Sequence, residues 1–125
     1  MGAIEKGVVV LVGVTHGDTG KEADWGARKI AGQRIFDAQE GLMNVGLLDA
    51  GGAALVVSQF TLYADASKGR RPSFVDAAPP DVAEPLVTYF ADALRQRHVD
   101  VEEGVFGAMM MVEIHNDGPV TIMLE

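Results

Sequence analysis

An uninterrupted run of apolar residues near the start of the chain, Gly7–Val14, constrains the fold more than any other feature. The run is rich in β-branched residues and is bounded by glycines. Strands with one wet face alternate apolar and polar residues, whereas strands covered on both faces are continuously apolar. The run therefore predicts a strand covered on both faces, and it is far too short to span a bilayer.

Helical patterns alternate with such strands. A capping-box sequence at Thr19–Glu22 is followed by apolar residues at helical spacing, which predicts a helix over 20–32. Gly51-Gly52 introduces a second buried strand, Ala53–Leu62. A second capping box at Asp81–Glu84 predicts a helix over 82–97.

The remaining segments give weaker patterns. Gln33–Phe36 predicts the start of a short strand, Ala38–Gly41 a turn, and Met43–Leu48 is ambiguous. Residues 64–80 have no periodicity and predict a long loop of functional importance. Val99–Leu124 predicts two or three strands interrupted at 116–119.

This order of elements predicts the fold class: an α/β or α+β arrangement with helices on one face of a mixed sheet, as a three-layer domain. The length of 125 residues favours a single domain over 1–125. The absence of cysteine excludes thiolate chemistry and fits a reducing cytoplasm. The first residues have no signal-peptide pattern.

A formal net charge of −8 disfavours broad, non-specific binding to nucleic acid. Lys68, Arg70 and Arg71 form a local exception, three basic residues within four positions. Such a loop either contacts a few phosphates or is simply solvated.

The chain lacks the residue patterns from which most hydrolytic sites are built. The three histidines, His16, His98 and His115, have no metal-ligand spacing with nearby carboxylates, so no metal site is predicted. No nucleophile elbow, phosphate-binding glycine loop or dinucleotide fingerprint occurs, so no cofactor is predicted either.

Ser58 and Thr61, in the segment Ser-Gln-Phe-Thr-Leu, are the candidate nucleophiles. A hydroxyl needs an adjacent base, and no His or Lys lies near them in sequence. The alternative is a strand end whose side chains bond to local backbone groups. Both interpretations stay open on the residues alone.

Gly118-Pro119 is a second segment of interest, because an X–Pro bond is the one peptide that adopts the cis form at modest cost. A cis Gly-Pro would present two carbonyls on one side, as a rigid ridge with little side chain. The alternative is an ordinary trans turn.

Six blocks, in order, resemble the D-aminoacyl-tRNA deacylase family. They cover nearly the whole chain from Gly7 onward, and they are Leu11–Thr19, Ser58–Asp65, Lys68–Phe74, Ala77–Pro80, Phe106–Ala108 and Asn116–Thr121. The resemblance implies a homodimer that hydrolyses the ester between a D-amino acid, or achiral glycine, and the terminal adenosine of tRNA.

The resemblance also implies roles for residues. Gly118 and Pro119, joined by a cis peptide, would reach into the partner's pocket and exclude L-amino acids by collision. Ser58, Gln59, Phe60 and Thr61 would offer backbone N–H groups to the developing oxyanion, with the 2′-hydroxyl of the terminal ribose assisting water. Thr61 as a covalent nucleophile is the alternative.

Further positions follow from the same resemblance. Met110 and Ala78 would line the adenosine pocket, and Lys68, Arg70 and Arg71 would contact tRNA phosphates. Family members begin with two more strands before the position of Gly7, so a sheet edge is expected to be exposed here. A non-catalytic module that binds the tRNA end is therefore the competing interpretation.

Overall fold

The computed structural model describes residues 2–37 and 43–125. These residues form five strands, two α-helices and one short 3-10 helix, here called η1. In chain order the elements are β1 (Gly7–Val12), α1 (Gly20–Gly32), β2 (Phe36–Asp37), β3 (Met43–Val45), β4 (Ala53–Ser58), η1 (Phe60–Tyr63), α2 (Pro80–Gln96) and β5 (Val101–Glu103).

The main sheet is parallel and has the strand order β1-β4-β5. Gly7 pairs with Ala53 and Val12 with Ser58, so β1 and β4 run side by side over their full lengths. Both crossovers move in the same direction, and right-handed crossovers then place α1 and α2 on one face of the sheet. The α/β class with two helices on one face is thus confirmed. Antiparallel pairing lies in a separate small sheet, β2–β3.

The core lies between this sheet and the two helices. Ala54 and Val56 on β4 are buried against Phe90 and Leu94 on α2 and Ala27 on α1. Val8, Val10 and Val12 of β1 pack against the same cluster.

The opposite face of β1 differs from the sequence prediction. Leu11 is 42% exposed, so the prediction of a strand covered on both faces is wrong at this position. A continuously apolar strand indicates burial only if both faces meet another layer.

Helix α1 begins and ends where the sequence predicts. The Thr19 hydroxyl accepts from Lys21 N–H, and the Glu22 carboxylate accepts from Thr19 N–H at 2.8 Å. The capping box is therefore confirmed, and it satisfies amide groups that the first helical turn leaves without partners.

Helix α2 begins earlier than predicted, and the predicted capping box at Asp81–Glu84 is wrong. Pro79 is the N-cap, no side chain caps the helix, and Pro80 occupies its first position. Proline suits this position because its fixed φ is already helical and its missing amide hydrogen would have no partner there. Pro85 lies further inside the helix than a first-turn position.

Strand β4 ends at Ser58, four residues before the predicted end at Leu62, and the chain turns into η1. The short predicted strand at Gln33–Phe36 corresponds to β2, which starts only at Phe36. Met43–Val45 is the strand part of the ambiguous segment. The predicted turn at 38–41 lies outside the described residues.

The C-terminal prediction is largely wrong. Strand β5 is the only regular element after α2 in the described part of the chain, and residues 104–125 form neither strand nor helix. Residues 104–125 add no strand to the main sheet, whose described order is β1-β4-β5, and apolar composition alone does not supply the backbone partners that a strand requires.

Residues 64–79 form the long loop that the sequence predicts, with two isolated β-bridges, Asp65–Ser73 and Thr15–Ala77. Neither described helix is long and apolar enough to cross a membrane.

Candidate active site

The carboxyl ends of the parallel strands bring the first group of predicted site residues together. Ser58 is the last residue of β4 and pairs with Val12, the last residue of β1. Gln59 then leaves the sheet, and Phe60 and Thr61 open η1. Ligands of open parallel sheets bind beyond these strand ends.

Hydrogen bonding divides the amides of this segment into engaged and free groups. Gln59 N–H donates to the Val12 carbonyl at 2.8 Å, and Leu62 N–H donates to the Gln59 carbonyl at 3.2 Å. Among the described hydrogen bonds, none engages the N–H of Phe60 or of Thr61. Two adjacent amides are therefore available to an incoming oxygen atom, whereas that of Gln59 is not.

Side chains in the segment supply no base. The Gln59 side-chain amide donates a hydrogen bond to the Thr61 hydroxyl. An amide nitrogen of this kind does not take up a proton, so this contact orients Thr61 without activating it. Among the described residues no three His, Asp or Glu side chains cluster as metal ligands.

Gly13, just after β1, positions η1 by letting it approach the backbone. A Cβ atom built on Gly13 would lie 3.0 Å from the Tyr63 ring and 3.1 Å from Leu62 Cβ. Only a residue without a side chain leaves room for this packing. Partial burial raises the pKa of the Tyr63 phenol, and the negative charges of Asp18 and Glu125 raise it further.

The next residues hold the segment 75–78 beside η1. The Thr15 hydroxyl donates to the Asp76 carbonyl at 2.6 Å, and His16 Nε2 donates to the Val75 carbonyl at 2.7 Å. The end of β1 thus fixes both walls of the candidate site. Neither Thr15 nor His16 was predicted as a site residue, although both lie in the Leu11–Thr19 block of the resemblance.

Ala78 belongs to this second wall. Its N–H donates to the Val14 carbonyl at 2.9 Å, and its side chain is buried in the core.

A cavity of about 200 Å³ lies beside Ser58, between the ends of β4 and β5 and the second turn of α2. Its lining includes Glu84, Thr88 and Gly104. Met110 borders it from outside, because the Met110 sulfur would lie 3.1 Å from a Cβ built on Gly104. Met110 is therefore on the same side of the sheet ends as Ser58.

A larger open cavity of about 720 Å³ lies at the opposite edge of the sheet. This edge is formed by the amino ends of the strands, and the cavity is lined by residues at the beginnings of β4 and β5, such as Ala53 and Val101. None of the predicted site residues lines it.

The Gly118–Pro119 peptide is cis, as the resemblance implies. Both residues are exposed. Asn116 organises the turn, since its side chain accepts from Val120 N–H and donates to the Thr121 hydroxyl, both at 3.2 Å. No described hydrogen bond within the chain joins this turn to Ser58–Thr61.

Lys68, Arg70 and Arg71 are exposed within the long loop, around the turn at Gly69. None of them forms an ion pair with a described carboxylate, since the described pairs both involve Arg95. Their charges face solvent in a chain that is otherwise acidic.

Fold and site together define an α/β protein whose candidate site consists mainly of backbone groups at the ends of parallel strands. The chain belongs to the D-Tyr-tRNA(Tyr) deacylase family, whose profile matches residues 1–125.

Relatives within this family are close in sequence. D-aminoacyl-tRNA deacylase of Thermomicrobium roseum is 61% identical over 98% of this chain and 80% of its own length. The corresponding protein of Chloroflexus aurantiacus is 58% identical over the whole chain and 78% of its length.

Two solved structures share the fold. A c-Myc DNA unwinding element binding protein superimposes with a TM-score of 0.90 at 40% identity, over 98% of this chain and 83% of that one. A probable eukaryotic D-amino acid tRNA deacylase gives a TM-score of 0.69 over 82% of this chain and 76% of its own, and at 20% identity it shares the fold alone.

Proposed function

We propose that this chain hydrolyses the ester bond that joins a D-amino acid to the terminal adenosine of tRNA. The support from sequence is membership of the D-Tyr-tRNA(Tyr) deacylase family and identity of 58–61% to relatives that carry this activity in their names. The observation that carries the chemistry is the pair of unengaged amides at Phe60 and Thr61, at a site without a base.

The reaction needs little from side chains. Water attacks the ester carbonyl, a C–O bond forms, and negative charge develops on the carbonyl oxygen. The N–H groups of Phe60 and Thr61 stabilise this oxyanion. The ester C–O bond then breaks, the terminal ribose leaves as its hydroxyl after taking up a proton, and the neighbouring 2′-hydroxyl relays protons in place of a protein base.

Gly118 and Pro119 form the chirality filter of the proposal, contributed to the site by a second copy of the chain. Two observations support this arrangement: both residues are exposed, and the cavity beside Ser58 is smaller than the roughly 300 Å³ of a typical ligand pocket. An L-amino acid would drive its side chain into the Gly118 and Pro119 carbonyls. A D-amino acid, or glycine mischarged on alanine tRNA, would not.

The remaining contacts go to the RNA. Lys68, Arg70 and Arg71 hold phosphates near the 3′ end, while Met110 and the backbone around Ala78 flank the terminal adenosine. Such contacts make binding salt-dependent. The slope of the logarithm of the binding constant against the logarithm of salt concentration should fall in magnitude by about one for each phosphate contact removed. The net charge of −8 disfavours duplex DNA as a ligand.

The setting that fits this activity is translation quality control in the cytoplasm, carried out by residues 1–125 as a single domain. The family's link to charged tRNA supports this setting.

A deacylation assay with D-tyrosyl-tRNA and L-tyrosyl-tRNA tests the proposal. The expected result is release of D-tyrosine with L-tyrosyl-tRNA left intact. Equal release from both substrates would refute the filter. Binding of charged tRNA without turnover, even at high protein concentration, would instead establish the non-catalytic module.

A further inference from the structure

Two exposed aromatic rings beside the candidate site have no role in the reaction described above. Phe60 is 55% exposed and Phe74 is 39% exposed. Their ring centroids lie 5.1 Å apart at an interplanar angle of 65°, an edge-to-face contact. This contact leaves much of both rings open to solvent.

The loop that precedes Phe74 is held in a defined shape. Asp65 and Ser73 exchange backbone hydrogen bonds of 2.7 and 2.8 Å, and the Asp65 carboxylate accepts from Ser67 N–H at 2.9 Å. Gly69 turns the chain with a φ of +67°. We call residues 65–73 the basic finger, because Lys68, Arg70 and Arg71 lie around this turn.

The finger therefore has a fixed base and a charged tip. Phe74 follows its base directly, so one of the two aromatic rings adjoins the segment that carries the three cations. Aromatic rings on which bases stack, beside cations that follow the backbone, are the elements with which proteins bind single-stranded nucleic acid.

We propose that the rings of Phe74 and Phe60 form a stacking platform for the unpaired nucleotide that precedes the terminal adenosine of the substrate RNA. This inference rests on the proposed function, because that function places the scissile ester at Ser58–Thr61. The finger then holds the phosphates of the same strand.

The position of the rings fits this assignment. Phe60 lies within the wall that faces the ester, and the Phe74 ring centre is 5.1 Å from the Phe60 ring centre. The Phe74 ring is therefore the next aromatic surface outside the segment that holds the ester. Paired bases keep their faces covered, so the platform requires an unpaired strand.

The test compares two substrates that share the ester and differ in the RNA. D-tyrosyl-tRNA has the preceding nucleotides, whereas D-tyrosyl-adenosine lacks them. In Phe74→Ala we expect kcat/KM for the tRNA to fall by about 5- to 150-fold, the range of one stacked base, mainly through KM. The loss on the adenosine ester should be at least about fivefold smaller.

Matched substitutions at the same position separate stacking from packing. Phe74→Tyr and Phe74→Trp keep an aromatic face and should retain the tRNA rate. Phe74→Leu keeps an apolar contact with Phe60 without a π-face, and should behave like Phe74→Ala. A Phe74→Leu enzyme with the wild-type KM for tRNA would overturn the platform, as would equal losses on both substrates.

Direct binding keeps the inference distinct from the proposed function. A fluorescently labelled single strand ending in CCA should bind wild-type protein and lose affinity in Phe74→Ala, while a blunt RNA duplex should bind weakly. If the wild-type chain hydrolyses neither ester, the proposed function fails. The difference in single-strand affinity between wild type and Phe74→Ala still tests whether the platform exists. Duplex binding as tight as single-strand binding would refute it. Circular dichroism of each variant identifies any that fails to fold, in which case Phe74→Leu and Phe74→Tyr carry the comparison.

Discussion

The ring of Tyr63 lies directly over the backbone of Gly13, so that a Cβ atom at Gly13 would meet two ring carbons at 3.0 Å. This contact couples the end of β1 to η1, the element that presents the amides of Phe60 and Thr61. Val12, which precedes Gly13 in the sequence, accepts the hydrogen bond from Gln59 N–H through its carbonyl. The position of the free amides is thus set by main-chain contacts with β1.

Gly13→Ala should displace η1, because a Cβ 3.0 Å from the Tyr63 ring and 3.1 Å from Leu62 Cβ requires these neighbours to move by a few tenths of an ångström, and Leu62 Cβ is bonded directly to the η1 backbone. We expect a loss of about 1–3 kcal/mol in the free energy of unfolding, as for other overpacked sites, and a lower deacylation rate. Urea unfolding and the D-tyrosyl-tRNA assay measure the two effects. Gly32→Ala is the control, since a Cβ there meets nothing within 4 Å. Wild-type activity and stability in Gly13→Ala would contradict the coupling.

Gly118→Ala should impair the proposed chirality filter without unfolding the protein. Gly118 has a φ of +133°, and a Cβ there would lie 3.0 Å from Val120 Cγ2. Backbone strain of about 1–3 kcal/mol moves the turn, so kcat/KM for the D-substrate should fall by about tenfold or more and discrimination against L-tyrosine should erode. Gly51→Ala is a matched control, with a φ of +70° and open space around it. Full rate and full chirality in Gly118→Ala would show that the filter lies elsewhere.

Thr61→Val distinguishes backbone catalysis from a covalent mechanism. The substitution keeps the size of the side chain and the Thr61 N–H, and removes only the hydroxyl that accepts from Gln59. Because the amide does the work in the proposed mechanism, we expect the rate to stay within about threefold of wild type, whereas loss of a true nucleophile costs several orders of magnitude. Single-turnover hydrolysis of D-tyrosyl-tRNA and of a simple tyrosine ester measures the difference. Abolished activity on both would establish Thr61 as the nucleophile.

The capping box of α1 should make stability depend on acid pH. Hydrogen bonds from the Thr19 hydroxyl and then from Thr19 N–H lower the pKa of Glu22 below its ordinary value of 4.5. A lowered folded-state pKa stabilises the folded protein above the ordinary value, and this contribution is lost as the pH falls below about 4.5 toward the folded-state pKa. Thr19→Ala should cost about 1 kcal/mol at neutral pH.

The difference in unfolding free energy between wild type and Thr19→Ala should therefore narrow as the pH falls through this acid range. Thermal unfolding followed by circular dichroism at several pH values measures it. Thr19→Ser, which keeps the hydroxyl, should retain most of the pH dependence. A difference that stays constant down to acid pH would show that Glu22 does not contribute.

Elements that are determined within a short segment are predicted better from the sequence than elements that depend on contacts with distant segments. Helix α1 was predicted over 20–32 because its cap and its periodicity lie in the same short segment. The end of β4 was missed because the residues after Ser58 suit a strand as well as a turn, and packing on Gly13 decides between them. The C-terminal strands were wrong because apolar, β-branched composition does not show whether a neighbouring edge is available.

The candidate site follows the same division. Ser58 and Thr61 are predicted as candidate nucleophiles from their residue types, and the resemblance adds the backbone N–H groups of Ser58–Thr61. That the Gln59 N–H is engaged follows only from its hydrogen bond to the Val12 carbonyl. Thr15 and His16 gave no signal of their own, since their role is to fasten residues about sixty positions away. Contacts of that range have no local pattern in the sequence.

The pairing of Gly7 with Ala53 has a consequence for folding during synthesis. Strand β1 is strongly apolar, yet β4, its partner in the sheet, is translated 46 positions later. At about 5–20 residues per second, that delay lasts on the order of 2–9 s. During synthesis this apolar stretch therefore stays without its partner strand for that time, and unpaired apolar strands of this kind are prone to associate with other chains.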